Sequence, residues 1–305
     1  MKIYTPKDFP LKFDTVITLG SFDGVHLGHQ TLLKETKNLA KKLEVKPLVV
    51  TFDPHPRQVL QPYSSFKLLT TLEEKLSLIS EWGFEEVAII PFTKSLAEWS
   101  PEFFVQEYIV DNLRAKGVVV GFNFRFGKQR KGDVELLTNL GEKYNFTVKV
   151  IEPIFVNGFR ISSSLIRGLL EKGSIELANK LLGRPYFLTG KVIKGKGRGR
   201  ILGYPTANLS ISYSKLIPLS GVYAVWITLR GEKFKGAMNI GKNPTFDEKD
   251  LSIEVYIFDF NSEIYGEKIK VELINYVRGE KKFPSPEALK LQIEKDCQKI
   301  RQVLV

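Results

Sequence analysis

Ten residues, Gly20-Ser21-Phe22-Asp23-Gly24-Val25-His26-Leu27-Gly28-His29, place three glycines and two histidines in a turn between an apolar run, Thr15 to Leu19, and a helical pattern. Those residue types suit phosphate chemistry. Glycines let backbone N–H groups approach an anion, a helix start offers its positive end, and imidazoles can hydrogen-bond a phosphate while charge builds on it. The spacing alone also fits a loop whose histidines cap the helix. The chain has three histidines in all, and the third, His55, follows the next apolar run in Val49-Val50-Thr51-Phe52-Asp53-Pro54-His55-Pro56. In an open parallel sheet ligands sit beyond the carboxyl ends of the strands, so one cleft could collect both segments. His55 reads either as part of that pocket or as a solvated imidazole in a proline-stiffened turn.

Other stretches carry related chemistry. Gly121-Phe122-Asn123-Phe124-Arg125-Phe126-Gly127 follows another apolar run, so Asn123 and Arg125 could reach the same cleft with aromatics as its wall. The alternating phenylalanines also fit a half-buried strand. In Ile161-Ser162-Ser163-Ser164-Leu165-Ile166-Arg167, hydroxyls at a helix start and an arginine one turn later can converge on one phosphate. A serine cap with a surface arginine is the competing reading. Gly195-Lys196-Gly197-Arg198-Gly199-Arg200 alternates glycine with cation and precedes Gly203-Tyr204-Pro205-Thr206-Ala207-Asn208. A cationic flap beside a rigid turn suits a nucleoside triphosphate, and the Thr206 hydroxyl and Asn208 amide oxygen are hard ligands for Mg²⁺. Glycine-basic runs also occur in disordered nucleic-acid tails, but this one lies between strand patterns. Glu254 is an acid in an apolar strand, Ser252-Ile253-Glu254-Val255-Tyr256. Pointing into a core it would have to work, for instance by deprotonating a substrate hydroxyl; facing out, it is the polar member of an alternation.

Positioning these groups takes two units. A chain of 305 residues exceeds the usual single core, and a 43% hydrophobic fraction can fill two. In the first half, strand patterns at 15–19, 47–52, 86–90, 117–121 and 146–151 alternate with helical patterns at 28–43, 72–82, 101–112 and 132–143. That alternation implies a parallel βαβ sheet. The stretch 72–79, capped by Thr71, reads as scaffold, and Trp82 and Trp99 as core. Beyond Pro185, strand patterns at 186–193, 222–229, 235–240, 252–258 and 268–274 are separated by glycine turns, which suggests a small β-barrel or sandwich. An amphipathic helix over 285–303 starts at a Ser-Pro pair. The expected domains are 1–183 and 184–305, with a short helix over 174–182 connecting them.

Charge divides along the same line. Residues 1–183 hold 24 Lys+Arg against 21 Asp+Glu, net +3, and residues 184–305 hold 21 against 13, net +8. The excess suggests anionic partners. No helical pattern concentrates a basic face and no aromatic-rich nucleic-acid motif is present, so small phosphorylated ligands fit better than nucleic acid. Apolar stretches are strand-sized and the N-terminus lacks an apolar leader, so neither a membrane nor export is expected and the cytoplasm is the expected compartment. Cys297, the single cysteine, has no disulfide partner and is expected to pack in a helix.

Taken in chain order, the motifs closely resemble those of the bifunctional riboflavin kinase/FMN adenylyltransferase family, the prokaryotic FAD synthetases. They are Gly20 to His29, Thr51-Phe52-Asp53-Pro54-His55-Pro56, Gly121 to Gly127, Ile161 to Arg167, Gly203 to Asn208, Gly241-Lys242-Asn243-Pro244-Thr245-Phe246, and Arg278 to Phe283, spanning essentially the whole chain. Ser21 stands where the family often has asparagine and Ser164 where it usually has threonine; both keep a hydrogen-bonding side chain. The resemblance implies an α/β chain, with a Rossmann-like parallel-sheet nucleotidyltransferase domain followed by a riboflavin-kinase-like β-barrel and a terminal helix. It implies phosphorylation of riboflavin to FMN, then adenylylation of FMN by in-line attack on the α-phosphorus of ATP, releasing pyrophosphate. His26 and His29 would steady the transferring phosphate, with Gly20, Ser21, Phe22, Asp23, Gly24 and His55 around ATP or FMN. Asn123, Arg125, Ser162, Ser164 and Arg167 would orient those substrates. In the kinase, Thr206 and Asn208 would hold Mg²⁺ and Glu254 would be the base toward the riboflavin 5′-hydroxyl. Gly195, Lys196, Gly197, Gly203 and Pro205 would line the ATP and flavin site, with Arg278 and Phe283 at the flavin border. The implied partners are riboflavin, FMN and ATP, without nucleic acid or membrane. An adenylyltransferase whose barrel only senses flavin is the alternative, against which Thr206, Asn208 and Glu254 stand intact. A nucleic-acid-binding protein would leave the histidine pair unused.

Overall fold

A computed structural model describes residues 1–63, 65–195, 199, 203–242 and 251–304. It divides into two compact units, Met1–Ser162 and Ser163–Val305. In the first, the described strands are β1 (Lys2–Tyr4), β2 (Thr15–Leu19), β3 (Lys46–Phe52), β4 (Glu86–Ile90), β5 (Ala115–Gly121) and β6 (Thr147–Ile151), all parallel, in the order β1-β4-β3-β2-β5-β6. Helices cover both faces, which is why β2 is buried along its whole length and its sequence does not alternate. They are α1 (Leu27–Lys42), α2 (Pro56–Leu60), α3 (Leu72–Glu81), α4 (Lys94–Ala97), α5 (Pro101–Phe104) and α6 (Val134–Tyr144). One face of the sheet, with Ile17, Val50 and Val118, joins Phe104, Ile109 and Leu137 in a single core, and α1 packs on β2, β3 and β5. A small hairpin, β7 (Phe155–Val156) and β8 (Phe159–Arg160), follows β6.

The strand order reverses between β2 and β5. From β2 the chain steps outward to β3 and then β4, and it then crosses back to lay β5 and β6 on the other side. Ligands bind outside the carboxyl ends of strands at such a reversal, because the connections there lead away from each other and leave a crevice. The helix expected over 101–112 is interrupted: α5 passes into a π-helical stretch, Val105–Asn112. Trp82 is not core; it ends α3 with 37% of its surface exposed, its carbonyl accepting from Lys37 Nζ at 3.2 Å. Trp99 is partly buried against the core and stacks on Tyr108 at 5.5 Å.

The second unit begins with α7 (Ser163–Glu171) and α8 (Ile175–Leu182). Its described strands are β9 (Tyr186–Ile193), β10 (Ala207–Ile211), β11 (Gly221–Leu229), β12 (Glu232–Lys242), β13 (Leu251–Ile257) and β14 (Lys268–Arg278). They close into a barrel in the order β10-β13-β12-β11-β14-β9, with β9 pairing back to β10. The barrel form of the two expected architectures is therefore the one found. β10 lies where the sequence suggested only a turn; five residues with a single buried side chain, Leu209, give a weak strand signal. α9 (Pro286–Val303) is capped by Ser285, whose hydroxyl accepts from Ala288 N at 3.2 Å, and it buries Ile300 against Val222, Ala224 and Phe258. Cys297 is half-buried in the same cluster, where burial first and Asp296 second push its thiol up to about 11.

The division between units falls at Ser162/Ser163, whereas the sequence suggested Gly183. Asn179 on α8 donates to the Leu273 carbonyl at 2.8 Å and accepts from Tyr186 N at 2.7 Å, and Leu219 N donates to the Leu170 carbonyl at 3.1 Å. α7 and α8 are thus fastened to the barrel. Gly183, at φ 71°, ends α8 as a left-handed cap, so its sequence signal is that of a helix stop.

Candidate active sites

In the first unit, the turn after β2 is built from several anchors. Gly20 N extends the sheet pairing to Val50 O at 3.1 Å. The Asp23 carboxylate, almost wholly buried, accepts from Leu69 N at 3.1 Å, Thr70 N at 3.0 Å and the Thr70 hydroxyl at 3.3 Å. It works as an anchor of the turn. Phe22 and Val25 have φ of 48° and 39°, conformations that side chains with a Cβ adopt only when their surroundings impose them. Both are fully buried, which supplies that constraint.

His26 caps α1: its Nδ1 accepts from His29 N at 3.3 Å. A neutral His26 therefore carries its proton on Nε2. The two imidazoles stack with centroids 3.7 Å apart and planes 13° apart, and the Phe22 ring lies tilted 5.2 Å from His29. Gly28 is part of this packing, since a Cβ there would lie 3.2 Å from His26 Cε1 and Nδ1. The helix that follows has no acid in its first turn and lysines 41 and 42 in its last, a charge arrangement that leaves its N-terminal end attractive to an anion.

Two further loops leave the same sheet edge. β5 pairs with β2 and ends at Gly121, so the Asn123 loop starts on the other side of the strand-order reversal from the histidine turn. Asn123 is exposed. Phe124 N turns back to Gly121 O at 2.9 Å and Phe126 forms an isolated bridge with Gly132, so the aromatic alternation is a loop and not a strand. Arg125 pairs with Asp133 at 2.9 Å; the Leu136 amide first and Arg125 second hold that carboxyl below its usual range. At the end of β3, His55 caps α2 by accepting from Arg57 N at 3.1 Å, and its ring packs on Phe66 at 4.8 Å. It joins this edge of the sheet but is engaged with its own turn. Ser162 is the last residue of this unit, half-buried.

In the second unit, Ser164 is exposed and Arg167 half-buried on α7. On the barrel, the Thr206 hydroxyl donates to Glu254 Oε2 at 3.1 Å. Glu254 sits opposite Asn208 on β10 and opposite Asn239 on β12, and directly paired residues share a face. Ile253, Val255 and Ile257 are the buried members of β13, so Glu254 points away from the barrel interior. The outward alternative holds, yet the acid lies in a polar row rather than in open solvent. Gly195 and Gly199 bring the flap backbone onto this row: a Cβ at Gly195 would overlap the Asn208 amide, and one at Gly199 would overlap the Tyr204 carbonyl and lie 3.2 Å from Thr206 Oγ1. Tyr204 N donates to Gly199 O at 2.8 Å, Gly203 turns at φ 87°, and Pro205 is exposed beside it. Arg278 donates from Nε and Nη2 to Asp296 Oδ2 on α9 at 2.8 and 2.7 Å, and its guanidinium lies 5.7 Å from the Phe283 ring. Lys196, Gly197 and the part of the Gly241–Phe246 motif from Asn243 onward lie outside the described residues.

Two residues escaped sequence reasoning. Asn239 is flanked by Met238 and Ile240, both fully buried, and that alternation already marks it as outward. Lys75 stands on the buried stripe of α3 with Leu78 and Ile79, at i, i+3 and i+4, a position where a lysine is out of place unless it has partners.

The FAD synthetase family model matches residues 10–165 and the riboflavin kinase model residues 182–304. The chain is 43% identical to the bifunctional riboflavin kinase/FMN adenylyltransferase of Bacillus subtilis over 93% of this chain and 90% of that one. The Escherichia coli protein of the same name is 36% identical over 92% and 90%. A crystal structure from Streptococcus pneumoniae, named a macrolide-efflux protein, superposes with a TM-score of 0.91 at 34% identity, covering 99% of each chain. That name disagrees with the other two relatives. Among the described residues no helix is long and apolar enough to cross a membrane.

Proposed function

This chain belongs to the bifunctional riboflavin kinase/FMN adenylyltransferase family, and from that premise we propose which of its residues run each reaction. It is a transferase with two activities, making FMN from riboflavin and ATP, and FAD and pyrophosphate from FMN and ATP. One observation carries the assignment of parts: the FAD synthetase match covers β2 to β6 of the parallel sheet and the riboflavin kinase match covers the barrel. Residues 1–183 are assigned to adenylylation and 184–305 to phosphorylation.

In adenylylation an FMN phosphate oxygen attacks the α-phosphorus of ATP in line, and the bond to the departing pyrophosphate breaks. Both ends of that transfer are anionic. His26 offers Nε2–H, stacked His29 stands beside it, and the first amides of α1 add donors. The Gly20–Gly24 backbone admits the phosphates, and Asn123, Ser162, Ser164 and Arg167 orient ATP or FMN. Arg125 and His55 contribute less directly, since each is engaged by a neighbour. Most of the rate gain comes from positioning and charge stabilisation.

In phosphorylation Glu254 takes the proton of the riboflavin 5′-hydroxyl as that oxygen attacks the γ-phosphorus and ADP leaves. Thr206 orients the carboxylate through its 3.1 Å bond. Mg²⁺ fits here because Thr206, Asn208 and Glu254 offer only hard oxygen donors of the kind that share a cation with phosphate and water. Thr206 and Asn208 would hold it, and when bound it would neutralise charge on the ATP phosphates. Arg278, fixed by Asp296, and Phe283 would border the flavin. Use of ATP supports a cytoplasmic location on this reading.

The test is incubation of the purified chain with riboflavin, ATP and Mg²⁺, followed by chromatographic separation. FMN appearing first and FAD second is the expected result. FMN without FAD removes the first assignment, FAD formed only from supplied FMN removes the second, and binding of a short duplex with neither product overturns both.

A further inference from the structure

Lys75 belongs to a helix whose pattern reads as scaffold, yet only 5% of it is exposed and its ammonium reaches the carboxyl ends of two central strands. Nζ donates to Ser21 O at 3.0 Å, to Thr51 Oγ1 at 2.9 Å and to Phe52 O at 3.5 Å. The Thr51 hydroxyl itself reaches Ser21 O at 3.3 Å. Ser21 opens the histidine turn after β2, and Phe52 is the last residue of β3. Asp23 fastens the same turn to Leu69 and Thr70, just before α3. Two buried charged side chains therefore tie one turn to one helix entrance. A slot that needed only packing would be filled more cheaply by an apolar side chain, because burying an ammonium is costly unless its hydrogen bonds are made.

We propose that Lys75 is a positioning residue for adenylyl transfer: it holds the Ser21 carbonyl against the end of β3 and so sets where the amides and imidazoles of the Gly20–His29 turn meet phosphate. The inference rests on the assignment of adenylylation to that turn. Lys75 acts through the turn's backbone and is assigned no contact with substrate. The turn has reason to need it, since Phe22 and Val25 are held in left-handed conformations that a loosened backbone would leave. Burial pushes the ammonium down to about 8 against the opposing pull of the Asp23 and Asp53 carboxylates, the charged groups that face it. An ammonium has three donors for these three acceptors, whereas the neutral amine has two. As Lys75 loses its proton the longest bond, to Phe52, is the first to go.

The full-length protein and its Lys75→Met and Lys75→Arg variants are assayed for both activities from about pH 7 to about pH 10. Methionine keeps the length and removes the donors; arginine keeps charge and donors. In Lys75→Met, kcat for FMN adenylylation is expected to fall on the order of 10²-fold, the usual cost of misplacing a group by about 1 Å, while KM for ATP changes less than roughly threefold. Riboflavin phosphorylation by the same molecules stays unchanged. Adenylylation by the parent falls as pH rises through about 8, and Lys75→Arg recovers activity without that fall. Parental adenylylation in Lys75→Met overturns the inference. So does a raised KM at constant kcat, which would make Lys75 a binding residue, and so does parallel loss of both activities, which would make it a fold anchor. A parent protein that makes FMN but no FAD overturns the underlying assignment, a result read from the unmutated chain alone.

Discussion

His29 has the rings of Phe22 at 5.2 Å and His26 at 3.7 Å, so removing its ring takes away one polar group while Asp23 still anchors the turn. His29→Ala is expected to lower FAD formation on the order of 10²- to 10³-fold, as the loss of a single transition-state donor does, with riboflavin phosphorylation retained. The ratio of FAD to FMN made from riboflavin and ATP measures it, and equal loss of both products would point to misfolding. Glu254→Gln keeps the shape and the Thr206 contact but removes the base. FMN formation is expected to stop while supplied FMN is still adenylylated, and unchanged phosphorylation in that variant would exclude Glu254 as the base. The histidines were legible in sequence because three in 305 residues cannot fall two to a turn without drawing notice. Asn239 and Lys75 were not, since their meaning depends on which face of a strand or helix they occupy and on what crosses to meet them.

At the scale of elements, close approach gives the sharpest expectation. A Cβ at Gly195 would overlap the Asn208 amide, so Gly195→Ala must move either the flap or the residue expected to hold Mg²⁺. Riboflavin phosphorylation is expected to drop at least tenfold, an energy of about 1.4 kcal/mol, with adenylylation of supplied FMN unaltered; the two initial rates measured in one preparation decide it. α3 carries a stability expectation as well. An unfolded lysine titrates at 10.5 and folded Lys75 at about 8, so between those values the unfolded chain binds the extra proton. Stability therefore rises with pH across that window, and the burial penalty is fully present below about pH 8. Urea unfolding of the parent should show a rising midpoint there, and Lys75→Met should lack that component. Strands β2 to β6 of the parallel sheet were readable within two residues, the central ones because runs buried on both faces are mostly apolar; β1 was not, because three residues with one buried side chain carry no pattern. β10 was not, because only one of its five residues, Leu209, is buried, and the π-helical stretch after α5 was not, because its side-chain pattern matches that of an α-helix.

For the whole molecule, two units were evident from the change of pattern after the connecting helices, but their frontier was not. Sequence punctuation marks where a helix stops; the division between units depends on which side that helix packs against. Since Asn179 binds Leu273 and Tyr186, a fragment spanning 163–305 is expected to have a higher Tm than one spanning 184–305. Equal Tm values would show that α7 and α8 add nothing to the barrel. A matching pair, 1–162 and 1–183, bears on Ser164 and Arg167: retention of FAD formation by the longer fragment alone supports their assigned roles, and retention by both removes them.

Closure of the barrel also governs how this chain meets its own copies. A sheet that returns to its first strand exposes no row of unpaired amides, so β9 to β14 cannot recruit a foreign strand. The parallel sheet does have borders, β1 and β6. One is three residues long, and the other carries Lys149, paired with Glu35. Brevity and a lysine both discourage growth at a sheet border. Among the described residues, neither the barrel nor the parallel sheet therefore offers native molecules a long open border for fibril extension, and growth through these two sheets has to wait for a molecule to open, at a rate set by unfolding.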